Sequence, residues 1–338
     1  MPPPVPHVRK RPGCGCLLLV IIQTVIIALL AGTLLGRLSV EDYRKLHFGG
    51  PQFGADELPP LNEKWSEGRG NTKIVRIPLT GMIMLDDSAR IWSTGGSASF
   101  ALKSIRRATN DPEVLGLILE IDSGGGGITA SDILYNALLE FKAADPRRRI
   151  VCIFGDVAAS GAYYVALAGD RIIAHPTSIT GSIGVLIQAL NLRELAGKIG
   201  ISDVTIKSGD HKDLLNPLRD IDPEQYAMLQ EMVDQLNARF AGLVEKHRTI
   251  PEEARPLLND GRIMLADQAV EAGLIDQIGY WKDARLAMAE LLQKDDLVIF
   301  RYDEPMRLSG LLRRIEGFNP FTILQQPREA RFLYYRGI

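Results

Sequence analysis

Gly155-Asp156-Val157-Ala158-Ala159-Ser160-Gly161-Ala162-Tyr163-Tyr164 is the stretch on which the reading of this chain turns, and Thr180-Gly181-Ser182-Ile183-Gly184 follows shortly after it. The apolar run Ile150 to Phe154 predicts a buried strand that breaks at Gly155-Asp156, and the pattern from Gly161 to Ala168 predicts a helix. A serine at such a junction holds its hydroxyl near the positive end of a helix, and small neighbours let a substrate backbone come close. Two readings of Ser160 therefore stand side by side. It is a nucleophile, or it is the N-cap of a helix in a tight turn.

Outward from that junction, Val114 to Ile121 is a near-continuous apolar run, which suits a strand covered on both faces. It ends in Asp122-Ser123-Gly124-Gly125-Gly126-Gly127, and Thr129 to Ala144 then has the spacing of an amphipathic helix. Ile74 to Leu79 and Arg171 to Ala174 are further strands, with Val185 to Gln188 and Val204 to Ile206 as short ones. Ser97 to Thr109 has helical spacing, with Phe100, Ile105 and Ala108 on the inward side. Pro223 to His247 is a long helix and Ala266 to Ala272 a short one. Strands alternating with helices of this length predict an α/β fold with crossover units and a mainly parallel sheet.

The ends differ from this middle. Residues 1–16 are rich in proline and carry Arg9, Lys10 and Arg11, as a cytoplasmic tail would. Residues 17–36 are twenty residues without a charge, enough as a helix to cover about 30 Å, the thickness of the hydrocarbon core. The basic tail predicts that the chain leaves the membrane on the far side. A cleaved signal peptide is the competing reading, but its apolar core is ordinarily shorter. Residues 37–71, with Gly49-Gly50-Pro51 and Pro59-Pro60, read as a spacer, 72–290 as the globular domain and 291–338 as a C-terminal extension. In that extension Arg307, Arg313, Arg314, Arg328, Arg331 and Arg336 interleave with aromatic residues, as in an arm for a neighbouring subunit or for anionic lipid.

Composition narrows the function classes. A net charge of −2 over 338 residues gives no basic surplus, so no nucleic-acid partner is expected. The three cysteines, Cys14, Cys16 and Cys152, support neither a disulfide framework nor a zinc site. Gly127 is followed by Ile128-Thr129, without the lysine that a phosphate cradle needs, so the four glycines predict no nucleotide site. No metal or cofactor is expected. The same glycines can instead present free backbone N–H groups to an oxyanion.

A serine that attacks a carbonyl needs a base. His7 and His47 precede the globular domain, His175 sits in a turn, His211 adjoins Lys212, and His247 ends a helix. None stands out by position. A lysine serves equally if it is neutral, which requires burial to bring its pKa down by several units from about 10.4. Lys212 precedes Leu214-Leu215, an apolar setting, although a solvated surface lysine is the commoner case.

The quoted stretch from Asp156 to Tyr164, with Thr180-Gly181-Ser182-Ile183-Gly184-Val185, resembles the core signature of the signal peptide peptidase A family. The resemblance continues through Ile121 to Asp132, Lys207-Ser208-Gly209-Asp210-His211-Lys212-Asp213, Asn216-Pro217, Gly261-Arg262-Ile263 and Ala272-Gly273-Leu274-Ile275-Asp276. It implies a Clp/crotonase-like fold of repeated β-β-α units behind one transmembrane helix. It also implies a Ser–Lys serine endopeptidase held in the bacterial inner (cytoplasmic) membrane, with the catalytic domain on the extracytoplasmic side. Carried over, Ser160 is the nucleophile and Lys212, 52 positions later, the general base. Ser182 orients the lysine, and the backbone N–H groups of Gly126 and Gly161 form the oxyanion hole. The implied partners are peptide substrates (remnant signal peptides and misfolded envelope proteins) and further copies of the chain, in a ring whose sites are shared between adjacent subunits. This chain departs from the family's Asn-Ser-Pro-Gly-Gly at two positions. Asp122 replaces the asparagine and Gly124 the proline, which loosens the turn that carries the oxyanion donors. A crotonase-type acyl-CoA enzyme and an inactive membrane scaffold are the competing functions for the same fold.

Overall fold

The apolar runs become the middle of one sheet. The computed structural model describes residues 59–85 and 97–304. Its strands are β1 (Asn62–Gly68), β2 (Thr72–Thr80), β3 (Val114–Ser123), β4 (Arg149–Ala159), β5 (Arg171–Ala174), β6 (Ile179–Gly181), β7 (Ile263–Leu265), β8 (Gln277–Ile278) and β9 (Leu297–Asp303). They lie in the order β1-β9-β2-β3-β4-β5-β8, with β6 joined to β4 and β7 to β6. The pairs from β9 through β2, β3, β4 and β5 to β8 are all parallel; β1–β9 and β6–β7 are antiparallel.

The sheet is covered on both faces, which explains the continuous apolar runs. Alternate residues of β2 to β4, among them Val75, Ile77, Leu117, Leu119, Ile150 and Phe154, face the larger core. There they meet Phe100, Ala101 and Ile105 of α1 (Ala98–Thr109), Leu134, Leu138 and Phe141 of α2 (Ile128–Ala144), and the short α3 (Gly161–Ala166). Their neighbours Ile74, Ile118, Val151 and Ile153 face the other way. Full burial stabilises each such side chain by about 1.5–3 kcal/mol.

The remaining helices are α4 (Arg193–Lys198), α5 (Pro223–His247), α6 (Ala266–Glu271) and α7 (Trp281–Leu292). On the second face, Ala284, Ala287 and Met288 of α7 cover Ile118, Val151 and Ile153. The start of α1 is set by Ser97, whose hydroxyl accepts from the Phe100 N–H at 3.3 Å. The start of α5 is set by Asp222, which accepts from the Glu224 N–H at 2.8 Å, with Pro223 as first helical residue.

Three expectations change. First, β4 does not end at Gly155-Asp156. Ile121 pairs with Phe154 and Ser123 with Ala158, so those two residues form a bulge, beyond which β4 changes partner from β5 to β6. The bend carries the strand on to Ser160. Second, the short strands expected at Val185 to Gln188 and Val204 to Ile206 are absent. Both lie in an excursion over 184–221: Leu186 makes only a single bridge, and Val204 and Ile206 are 86% and 97% exposed and pair with no strand among the described residues. Third, the sheet extends past 72–290 at both ends, because β1 pairs with β9 and β9 with β2. The expected membrane helix over 17–36, Cys14, Cys16, His7, His47 and residues 305–338 lie outside the described residues. Among the described residues no helix is long and apolar enough to cross a membrane.

Candidate active site

Ser160 stands where β4 hands over to α3, at φ 54° and ψ −122°. A non-glycine residue with that backbone carries strain of about 1–3 kcal/mol and persists only where its surroundings hold it. They do so here. The Ser160 N–H donates to the Gly181 carbonyl at 2.9 Å, and the Ser160 carbonyl accepts from the Tyr164 N–H at 2.9 Å. The side chain makes no capping hydrogen bond to α3. Its Oγ is buried and finds no hydrogen-bond partner among the described residues. A buried hydroxyl without a partner is destabilising by about 1–3 kcal/mol. Ser160 therefore occupies the N-cap position without capping through its side chain: it is a strained serine on a strand-to-helix turn.

The glycine turn after β3 lies directly against it. A Cβ placed on Gly125, whose φ is 97°, would stand 2.7 Å from the Gly161 nitrogen and 3.0 Å from the Ser160 Cβ. Only a glycine allows that approach. Ile83 forms a parallel bridge with Gly126: the Ile83 N–H donates to the Gly125 carbonyl at 3.0 Å, and the Gly127 N–H donates to the Ile83 carbonyl at 2.8 Å. In a parallel bridge the bonded groups are those flanking the central residue, so the Gly126 N–H points to the opposite edge. The Gly161 N–H is one of the unpaired donors in the first turn of α3. Gly125 thus lies against Gly161 and Ser160, with Gly126 the next residue of the same turn.

Ser182 follows Gly181, the partner of the Ser160 N–H, and is itself held at φ 49° with its N–H donating to the Arg262 carbonyl at 2.7 Å. Lys212 is not brought in. It is exposed, on the excursion over 184–221; its backbone N–H donates to the Gly209 carbonyl at 3.2 Å, and its ammonium makes no ion pair among the described residues. Its neighbours are tied: Asp213 pairs with Lys207 and Arg219, each at 2.7 Å, and Asp203 pairs with Arg219 at 2.6 Å. The apolar cover expected from Leu214-Leu215 does not enclose the Lys212 side chain within one chain.

Among the described residues no histidine is hydrogen-bonded to Ser160. The His175 ring lies against Tyr280, at 5.5 Å between centroids, His211 is exposed, and His247 Nε2 is hydrogen-bonded to the Tyr135 hydroxyl at 2.6 Å. Asp122, one of the two departures, is exposed and accepts from the Val157 N–H at 3.2 Å, so its carboxylate braces the β4 bulge.

Sequence reasoning missed a polar chain behind α3. The Tyr164 hydroxyl donates to Asp132 at 2.5 Å, and Arg239 of α5 donates to the same carboxylate at 2.7 Å. Burial pushes the Asp132 carboxyl up, but the hydrogen bonds from Arg239 and Tyr164 outweigh it and hold the group below its ordinary value. Arg239 lies more than a hundred positions from Asp132, and no local pattern links the two.

The model of peptidase family S49 matches residues 142–295. A signal peptide peptidase SppA of Enterococcus faecium is 35% identical over 252 residues, covering 74% of this chain and 72% of that protein. A protease of Synechocystis is 35% identical over 234 residues, covering 68% of this chain and 82% of its own length. Among solved structures, a membrane-bound stomatin-specific protease is similar at a TM-score of 0.39 and 14% identity, covering 65% of this chain and 86% of that one. The chain belongs to peptidase family S49, the signal peptide peptidase A family of serine proteases.

Proposed function

We propose that this chain is a membrane-anchored serine endopeptidase of the Clp/crotonase fold, with Ser160 as nucleophile and Lys212 of an adjacent copy as general base. The observation that carries the reading is the state of Ser160: strained, buried, and with its hydroxyl unpartnered within one chain. A hydroxyl in that state is completed by a group from outside. Lys212 suits that role because it is unpaired and sits on an excursion that exposes Leu190, Leu195, Ile199, Ile201, Val204 and Ile206. An apolar surface of this kind fits a second copy of the chain, and its burial there encloses the lysine in a drier setting that favours the neutral amine.

The chemistry is acyl transfer. Neutral Lys212 Nζ takes the Ser160 proton as Oγ attacks the scissile carbonyl. The oxyanion is met by the N–H groups of Gly126 and Gly161, and the Lys212 ammonium then protonates the leaving amine. Water, deprotonated by the same lysine, releases the acyl group. Ser182, beside Ser160, orients the amine. Residues 17–36 anchor the enzyme in the inner membrane with its site on the extracytoplasmic side, where remnant signal peptides and misfolded envelope proteins are the substrates.

The test is covalent labelling of the full chain by a peptidyl phosphonate, followed by peptide mapping. The adduct is expected on Ser160 and is lost in Ser160→Ala, while Lys212→Ala reacts far more slowly. A protein that cleaves peptides without taking label at Ser160 refutes the assignment, and so does full activity in Lys212→Ala.

A further inference from the structure

We propose that Ser123 is a positioning residue for the oxyanion hole: its hydroxyl fixes the glycine turn so that the Gly126 N–H is presented to Ser160. The proposal rests on Ser160 being the nucleophile.

The turn has little rigidity of its own. Residues 124–127 are four successive glycines, the residue type with the widest backbone freedom, and Gly125 is at φ 97°. Yet its groups are closely accounted for. Ser123 is 3% exposed, and its Oγ both donates to the Gly81 carbonyl at 2.5 Å and accepts from the Gly125 N–H at 3.1 Å. Gly81 is held in turn, its N–H donating to the Asp122 carbonyl at 3.0 Å. The far side of Gly125 is fixed by Ile83, whose N–H donates to the Gly125 carbonyl.

These bonds sort the donors of Gly125, Gly126 and Gly127. The Gly125 N–H goes to Ser123 and the Gly127 N–H to Ile83; the Gly126 N–H has no acceptor among the described residues. One hydroxyl thus ties the end of β3 to the chain leaving β2 and holds the entry to the peptide plane that carries the oxyanion donor. Where position 124 has no ring to restrict the backbone, Ser123 does that work by hydrogen bonding.

The experiment is steady-state kinetics of the full-chain enzyme on a fluorogenic peptide, with inhibition by a peptide aldehyde, whose adduct oxygen occupies the oxyanion position. Ser123→Ala is expected to lower kcat by about ten- to a hundredfold, to leave KM within about twofold, and to weaken the aldehyde by the same factor as kcat. Because the alanine variant can lose stability, Ser123→Thr and Ser123→Val form a second pair, of equal shape and differing in the hydroxyl. The threonine variant is expected to retain activity within about threefold and the valine variant to resemble alanine. An unchanged kcat in Ser123→Ala, a rise in KM alone, or equal activity of the threonine and valine variants overturns the proposal. A Ser160→Ala enzyme as active as the parent overturns the nucleophile assignment instead, whatever Ser123 does.

Discussion

Gly126→Ala probes the oxyanion hole with a single methyl group. The added Cβ would collide with the Ile83 carbonyl oxygen and stand 2.7 Å from the Ile83 nitrogen. Both are backbone atoms already committed to the bridge, so no side chain can swing aside. The bridge must open, and with it go two hydrogen bonds, Ile83 N–H to the Gly125 carbonyl and Gly127 N–H to the Ile83 carbonyl. At about 0.5–1.5 kcal/mol each, the expected loss of stability is about 1–3 kcal/mol. A domain with about 5–15 kcal/mol in hand stays folded. Catalysis falls further, because the same opening turns the Gly126 N–H away from Ser160, and one oxyanion donor is worth about 10²–10³ in kcat. The assay pairs kcat on a fluorogenic peptide with thermal unfolding of the same sample. A variant with normal kcat and a lowered Tm refutes the claim that the Gly126 N–H acts on the substrate. A variant with both unchanged refutes the bridge itself.

Further outcomes follow from other contacts. Tyr164→Phe removes the hydroxyl that donates to Asp132 at 2.5 Å, so stability should drop by about 1.5–3 kcal/mol while kcat changes far less than in Gly126→Ala; thermal unfolding and kinetics read the two separately. His247 is held below its ordinary value of about 6.5, first by burial and then by Lys246, Lys142 and Arg248. Its neutral form belongs to the fold, so this contribution is complete above that value and is lost as pH falls below it; Tm measured between pH 7.5 and 5.5 should decline less in His247→Gln than in the parent. Ile206→Asp, at a position 97% exposed, should leave the unfolding of the separate chain unchanged but reduce assembly and activity together, as sedimentation and peptide cleavage would report.

What could be read from the sequence was what one segment decides by itself. β2, β3 and β4 are buried on both faces, and their apolar runs announced them; Ser97 and Asp222 with Pro223 marked two helix starts. β1 was hidden because Asn62-Glu63-Lys64-Trp65-Ser66-Glu67-Gly68 is a charged edge strand with no repeating apolar face, whose pairing comes from β9 more than 200 positions away. Val204-Thr205-Ile206 misled for the opposite reason, since it has strand chemistry and pairs with no strand among the described residues. At the site, the sequence alone did not show that Ser160 is held at a positive φ, nor that its hydroxyl makes no capping bond to α3. Ser123 stood inside the quoted motif, but only the return of the chain through Gly81 and Ile83 reveals what its hydroxyl holds.

The central claim is that one catalytic unit draws its alcohol and its amine from two chains. Mixing inactive Ser160→Ala protein with inactive Lys212→Ala protein, under conditions that let subunits exchange, measures this directly. Random assortment into a ring makes each intact pair by two independent choices of one half, so peptide cleavage should return to about a quarter of the parent's rate. A mixture that stays as silent as its two components, although exchange has demonstrably occurred, contradicts it.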